Sequence, residues 1–152
     1  MRLILQLELP ADARILPKTR QATDGFMEEL GSGADERADV ILALDEACVN
    51  VIRHAFPGGA EGHIRLRAEI SDIAVTVQVE DDGVGFDPCS VPIGCAGPED
   101  TSGRGLGMIS RLMTSVAFES PVTPAGGTRV RMEKQLTSDP EGAGPGDRPP
   151  VR

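Results

Sequence analysis

Two alternating runs, His63 to Ile70 and Ile73 to Glu80, stand only a tight Ser71-Asp72 turn apart. In the second run Val75, Val77 and Val79 share one face, while Thr76, Gln78 and Glu80 share the other. Such a hairpin has one apolar face, which must be buried under a second layer. Arg2 to Leu9 alternates in the same way, with Leu3, Leu5, Leu7 and Leu9 on one side and Arg2, Ile4, Gln6 and Glu8 on the other. Ser115 to Ser120 and Thr128 to Leu136 read as two more strands around a Pro124-Ala125-Gly126-Gly127 turn.

The covering layer is helical. A first helix is expected from about Arg14 to Leu30, with Pro17 tolerated in its first turn and Gly31-Ser32-Gly33 breaking it. A longer one runs from about Ala34 to Ala55 and stops at Pro57-Gly58-Gly59. A short third helix spans Leu106 to Met113. Strand, two helices, two strands, loop, helix and two strands make an α+β layer rather than a parallel βαβ sheet. Residues 87–102 carry Pro88, Pro92, Gly94, Gly97 and Pro98 without periodicity, which predicts a long loop of the active-site lid kind. From Thr137 to Arg152, proline, glycine and charge dominate, and the expectation is a disordered tail.

Composition narrows the function classes. The 152 residues suit one domain plus a tail. With no Trp or Tyr and only four Phe, the core must be built from aliphatic side chains. A net charge of -9 without a basic run disfavours direct nucleic-acid binding, though a basic protein surface remains a suitable partner. No apolar run reaches the ~18 residues of a membrane span, and Met1 to Pro10 alternates instead of forming a leader core. A cytoplasmic protein is expected. The three cysteines, Cys48, Cys89 and Cys95, form no C-x-x-C pair, so reduced thiols are expected rather than a disulfide framework or a zinc site.

Three segments could carry chemistry. On the second helix, at about 100° per residue, Ile41, Leu44, Cys48, Val51 and Ala55 fall on one side. Glu46, Asn50, Arg53 and His54 fall opposite, which is either a solvated face or a ligand face. Next, Asp81 ends a strand and opens Asp-Asp-Gly-Val-Gly-Phe. A carboxylate there can accept from the exocyclic amine of adenine, and Gly83 and Gly85 let backbone approach the base. The plainer alternative is a polar turn. Third, Gly103-Arg104-Gly105-Leu106-Gly107 opens the short helix, where free N–H groups and the helix dipole favour phosphate. Met108 occupies the place of a third dinucleotide-fingerprint glycine, and the chain has no P-loop.

The order of these segments is more specific than any one of them. Glu46-Ala47-x-x-Asn50-x-x-x-His54-Ala55-Phe56, then Asp81-x-Gly83-x-Gly85, then Gly103-x-Gly105-x-Gly107, then Gly127-Thr128, resembles the Bergerat-fold ATPases. Within that superfamily the chain is similar to the bacterial anti-sigma factor serine kinases, from about residue 2 to 136. The resemblance implies a two-layer α/β sandwich at residues 1–136, with a mixed, mostly antiparallel sheet and helices on one face. It also implies ATP and Mg²⁺ as cofactors. Asn50 would hold the metal, Glu46 would be the general base, and Asp81 would read adenine beside Gly83 and Gly85. Gly103, Arg104, Gly105, Leu106 and Gly107 would close over the phosphates, with Thr128 supporting the adenine site and His54 completing the helix motif.

The implied partners are a sigma factor and an anti-anti-sigma antagonist that supplies the acceptor serine, with a homodimer as a possible assembly. Two readings follow. One is a protein serine kinase that also sequesters a sigma factor. The other is an ATP-gated module that sequesters without significant kinase activity. Glu46 separates them, because binding needs only Asn50, Asp81 and the glycines.

Overall fold

The computed structural model describes residues 1–85 and 102–137, with side chains at 102–106 left out. The expected lid, Cys89 and Cys95 lie outside the described residues, as does the tail beyond Thr137.

Five strands form one sheet: β1 (Arg2–Pro10), β2 (His63–Ser71), β3 (Ala74–Asp81), β4 (Ser115–Glu119) and β5 (Thr128–Gln135). Their order is β1-β2-β3-β5-β4. All four pairings are antiparallel, so the described sheet is simpler than the mixed one expected. The β2–β3 hairpin registers Ile64 with Asp81 and Ile70 with Val75. Its turn falls at Asp72-Ile73, one residue later than expected, because the Ser71 hydroxyl bonds both the carbonyl and the N–H of Ala74.

Three helices cover the apolar face: α1 (Leu16–Glu29), α2 (Ala34–His54) and α3 (Ser102–Leu112). A single 3₁₀ turn, Ala13–Ile15, leads into α1, whose first turn holds Pro17, where the missing N–H costs nothing. Gly33 precedes α2, and Glu36 reaches back to its N–H, satisfying a donor left free at the helix start. The other carboxylate oxygen of Glu36 accepts from the N–H and hydroxyl of Thr137, which fixes the end of β5 to the start of α2.

The core lies between these layers. Ile64, Leu66, Ala68 and Ile70 of β2 and Val75, Val77 and Val79 of β3 are buried, as are Val130 and Met132 of β5. They meet Val40, Ala43, Leu44, Ala47, Cys48 and Val51 of α2 and Ile109 of α3. Deep burial, with Asp45 nearby, pushes the Cys48 thiol up to about 12, so it packs as a small apolar group. The other sheet face is charged. Glu80 bridges Arg65 and Arg129 at 2.8 Å each, and Arg129 continues to Glu119 at 2.7 Å.

Two expectations need correction. The buried stripe of α2 includes Val40, Ala43 and Ala47, whereas Ile41 is only half-buried. The stripe is therefore turned toward Glu46 and Asn50, which lie at its margin instead of diametrically opposite. Contact with α3 as well as the sheet widens the apolar arc. Second, α3 starts at Ser102, four residues before the expected Leu106, so Gly103, Gly105 and Gly107 are inside a helix rather than ahead of one. Glycine is a weak helix former, at about 1 kcal/mol below alanine, but not a forbidden one.

Candidate functional site

The site is built at one end of the sheet, where β3 stops, β5 starts and α2 ends. Asp81 is the last residue of β3 and stands opposite Thr128, the first of β5. It is 2% exposed, the most buried acidic side chain described. One carboxylate oxygen accepts from the Gly83 N–H at 2.8 Å. Burial pushes its pKa up, the negative Asp82 adds to this, and the N–H groups of Gly83 and Thr128 oppose it. A buried carboxylate of this kind accepts strongly from any donor that reaches it.

The turn after Asp81 is fastened by backbone. Val84 N–H donates to the Ala55 carbonyl at 3.0 Å, and Gly127 N–H donates to the Gly83 carbonyl at 2.9 Å. Gly83 touches the end of α2 so closely that a Cβ there would collide with the Ala55 carbonyl oxygen. Gly127 has φ +91°, and a Cβ on it would stand 2.6 Å from the Asp81 carbonyl oxygen. Gly85 also lies in the left-handed region, at φ +75°. The residues from Asp81 to Gly85 thus form a seam joining α2, β3 and the β4–β5 connection.

Glu46 and Asn50 lie one turn apart on α2, both half-buried. Among the described residues neither has a hydrogen-bond or ion-pair partner. Their neighbour Asp45 is engaged instead, with Arg20 at 3.1 Å. The Asn50 amide oxygen is a hard donor that suits a magnesium ion keeping several of its waters, while the Glu46 carboxylate one turn earlier is free to accept a proton or a hydrogen bond. Arg53 and His54 are exposed on the last turn of α2. Thr128 is half-buried beside Asp81. The backbone of Gly103 to Gly107 forms the first turns of α3, while the side chains of Arg104 and Leu106 lie outside the described residues.

The structure therefore unites Asp81, Gly83, Gly85 and Thr128 in one seam, and Glu46 with Asn50 on the helix that ends at that seam. Two contributors have no local sequence signal. Ala55 acts through its carbonyl, and Ser120 holds the turn by donating to the Gly127 carbonyl at 2.9 Å.

A two-layer sandwich with an aspartate-glycine seam and a polar pair on the adjoining helix defines a class of nucleotide-handling domain. The chain belongs to the histidine kinase-like ATPase domain family, whose model matches residues 9–134. It is 32% identical over 123 residues to an anti-sigma F factor of Clostridium novyi (strain NT), covering 78% of this chain and 85% of that protein. It is 28% identical over 141 residues to the serine-protein kinase RsbW of Bacillus subtilis (strain 168), covering 89% and 87% respectively. The fold matches the crystal structure of the RsbU and RsbW domains of Rv1364c from Mycobacterium tuberculosis, with a TM-score of 0.65 at 21% identity. That match spans 88% of this chain and 32% of the other. Among the described residues no helix is long and apolar enough to cross a membrane.

Proposed function

We propose that this chain is an ATP-dependent serine-protein kinase and anti-sigma factor, one that holds a sigma factor and phosphorylates an antagonist protein on serine. The observation that carries the kinase part is Glu46, half-buried, without a partner among the described residues and one turn from Asn50. Nucleotide binding alone has no use for this carboxylate. The relatives named anti-sigma F factor and serine-protein kinase support the same reading.

In this reading Asp81 accepts from the adenine amine, and Gly83 and Gly85 keep side chains away from the base. Thr128 steadies the Asp81 side of the site. Asn50 holds Mg²⁺, which when bound neutralises charge on the triphosphate. The free backbone N–H groups of the first turn of α3, from Ser102 to Gly105, face the phosphates, with Arg104 among them and Leu106 and Gly107 continuing the helix. His54 lies at the mouth of the site. Glu46 orients the acceptor serine hydroxyl and takes its proton as the oxygen bonds to the γ-phosphorus and ADP leaves. The domain carrying this work is residues 1–136, and it acts in the cytoplasm.

The test is a phosphoryl-transfer assay with Mg-ATP against candidate antagonist proteins. Phosphoserine on one of them is expected. In Glu46→Ala, transfer should fall by about 10²–10⁴-fold while ATP affinity holds. ATP binding without transfer to any antagonist would leave a sequestration module, and no ATP binding at all would end the nucleotide reading.

A further inference from the structure

Lys134 is the only cation on the core-facing row of β5, after Thr128, Val130 and Met132. Its side chain is 20% exposed. The ammonium makes two bonds of 2.8 Å, one to Asp39 of α2 and one to the Leu112 carbonyl, the last residue of α3. The second satisfies an acceptor that a helix C-terminus leaves open, and it places positive charge where the helix dipole is negative. Next to it, Thr114 N–H donates to the Glu133 carbonyl at 2.7 Å, and Gln135 N–H donates to the Thr114 hydroxyl at 2.9 Å. Ile109 and Met113 are buried beneath. The far end of α3 is thus bolted to β5.

The near end is different. Gly103, Gly105 and Gly107 occupy the first turns, and a Cβ on Gly107 would meet nothing within 4 Å. A helix start so weak in propensity takes its direction from the end that is held. Asp39 adds a second constraint. Asp39, Glu46 and Asn50 are spaced i, i+7 and i+11, which puts them on one stripe of α2. Lys134 therefore ties the end of α3 to the stripe that bears Glu46 and Asn50.

We propose that Lys134 is a positioning residue, which aligns α3 on α2 so that the glycine-bearing end of α3 stands over the phosphate side of the site. This rests on the nucleotide reading above. Lys134 lies six residues along β5 from Thr128 and touches no part of the site itself.

The experiment measures Mg-ATP and adenosine affinities, with melting temperature, for the full chain and for Lys134→Met, Lys134→Arg and Asp39→Asn. Lys134→Met should weaken Mg-ATP roughly tenfold and change adenosine less than about twofold, because only the phosphates depend on α3. Lys134→Arg, which keeps a cation for both acceptors, should restore most of the loss. Asp39→Asn should give a smaller loss of the same kind, and it decides the matter if Lys134→Met does not fold. Unchanged Mg-ATP affinity, or equal weakening of both ligands, overturns the positioning role. A wild-type chain that binds no Mg-ATP overturns the nucleotide reading instead, which separates the two failures.

Discussion

The two glycine segments look alike in sequence and are built in opposite ways. Asp81 to Gly85 is locked: it bonds to α2 through Ala55 and to the β4–β5 connection through Gly127, and a methyl group on Gly83 has no room. Gly103 to Gly107 lies at the start of a helix that packs on α2 and is bonded at its other end to Lys134, with open space around Gly107. In the first segment glycine is a packing requirement. In the second it lowers helix propensity, with open space at Gly107. In the proposed nucleotide reading the base end of the site is thus preorganised, while the phosphate end lies on a helix start of weak propensity. Such a difference suits a domain that must hold one part of a ligand and respond to another.

The sharpest way to break this contrast is Asp81→Asn. An amide can turn its donors toward the adenine amine and loses the charge-assisted bond, so ATP affinity should fall by about 10–150-fold. Stability should not fall with it, because burial already disfavours the Asp81 charge. The sign follows from its raised pKa: above that value the folded state holds a carboxylate it would rather protonate, and folding loses stability as a result. An Asp81→Asn protein that keeps its melting temperature and loses ATP in a calorimetric titration fits a ligand-directed carboxylate. Loss of fold together with binding would make Asp81 a structural seam residue only.

Gly83→Ala comes next. The added methyl cannot avoid the Ala55 carbonyl without moving the end of α2, and the expected cost is about 3 kcal/mol in a denaturant melt. A cost below about 0.5 kcal/mol would mean that the seam yields easily, and the claimed rigidity of the base end would go with it.

Much of this was legible in the chain. The alternating runs at β1, β2 and β3 gave strand existence and facing, because a period of two leaves one buried side. The α2 boundaries followed from Gly33 and from Pro57 after the helix. The margin position of Glu46 and Asn50 was not legible, since the width of the buried arc depends on α3, which begins at Ser102, far along the chain from Asn50. The start of α3 was missed because glycine signals a break locally, whereas packing of Ile109 and the bonded C-terminus decide otherwise. Nor does any local pattern reveal that the Ala55 carbonyl receives Val84, since the contact belongs to backbone and not to side-chain type.

A smaller effect sits on the open face behind the seam. Burial alone would raise the Glu80 pKa, but hydrogen bonds from Arg65 and Arg129 outweigh it and hold the carboxyl below its ordinary range. A depressed folded-state pKa contributes stability above the unfolded value of about 4.3, lost as pH falls through the lower folded value. Wild type should therefore lose stability below about pH 4 more steeply than Glu80→Gln in parallel melts. Equal slopes would remove the Arg65–Glu80–Arg129 chain as a support of the base end.

The smallest effect falls on the second glycine segment. Gly107 has no neighbour that a methyl group would strike and no left-handed backbone, so Gly107→Ala should stabilise the protein by about 0.5–1 kcal/mol through helix propensity. The same change tests what the weak propensity is for. If the weak start of α3 serves nucleotide exchange, Gly107→Ala should alter ATP on- and off-rates while Asp81-dependent adenosine binding stays as it was. Stabilisation with unchanged nucleotide kinetics would mean that open space at Gly107 is incidental, and that the two glycine segments differ in packing but not in use. Destabilisation would mean that Gly107 is confined by contacts in solution, and the contrast between a locked seam and a free helix end would fail at its second half.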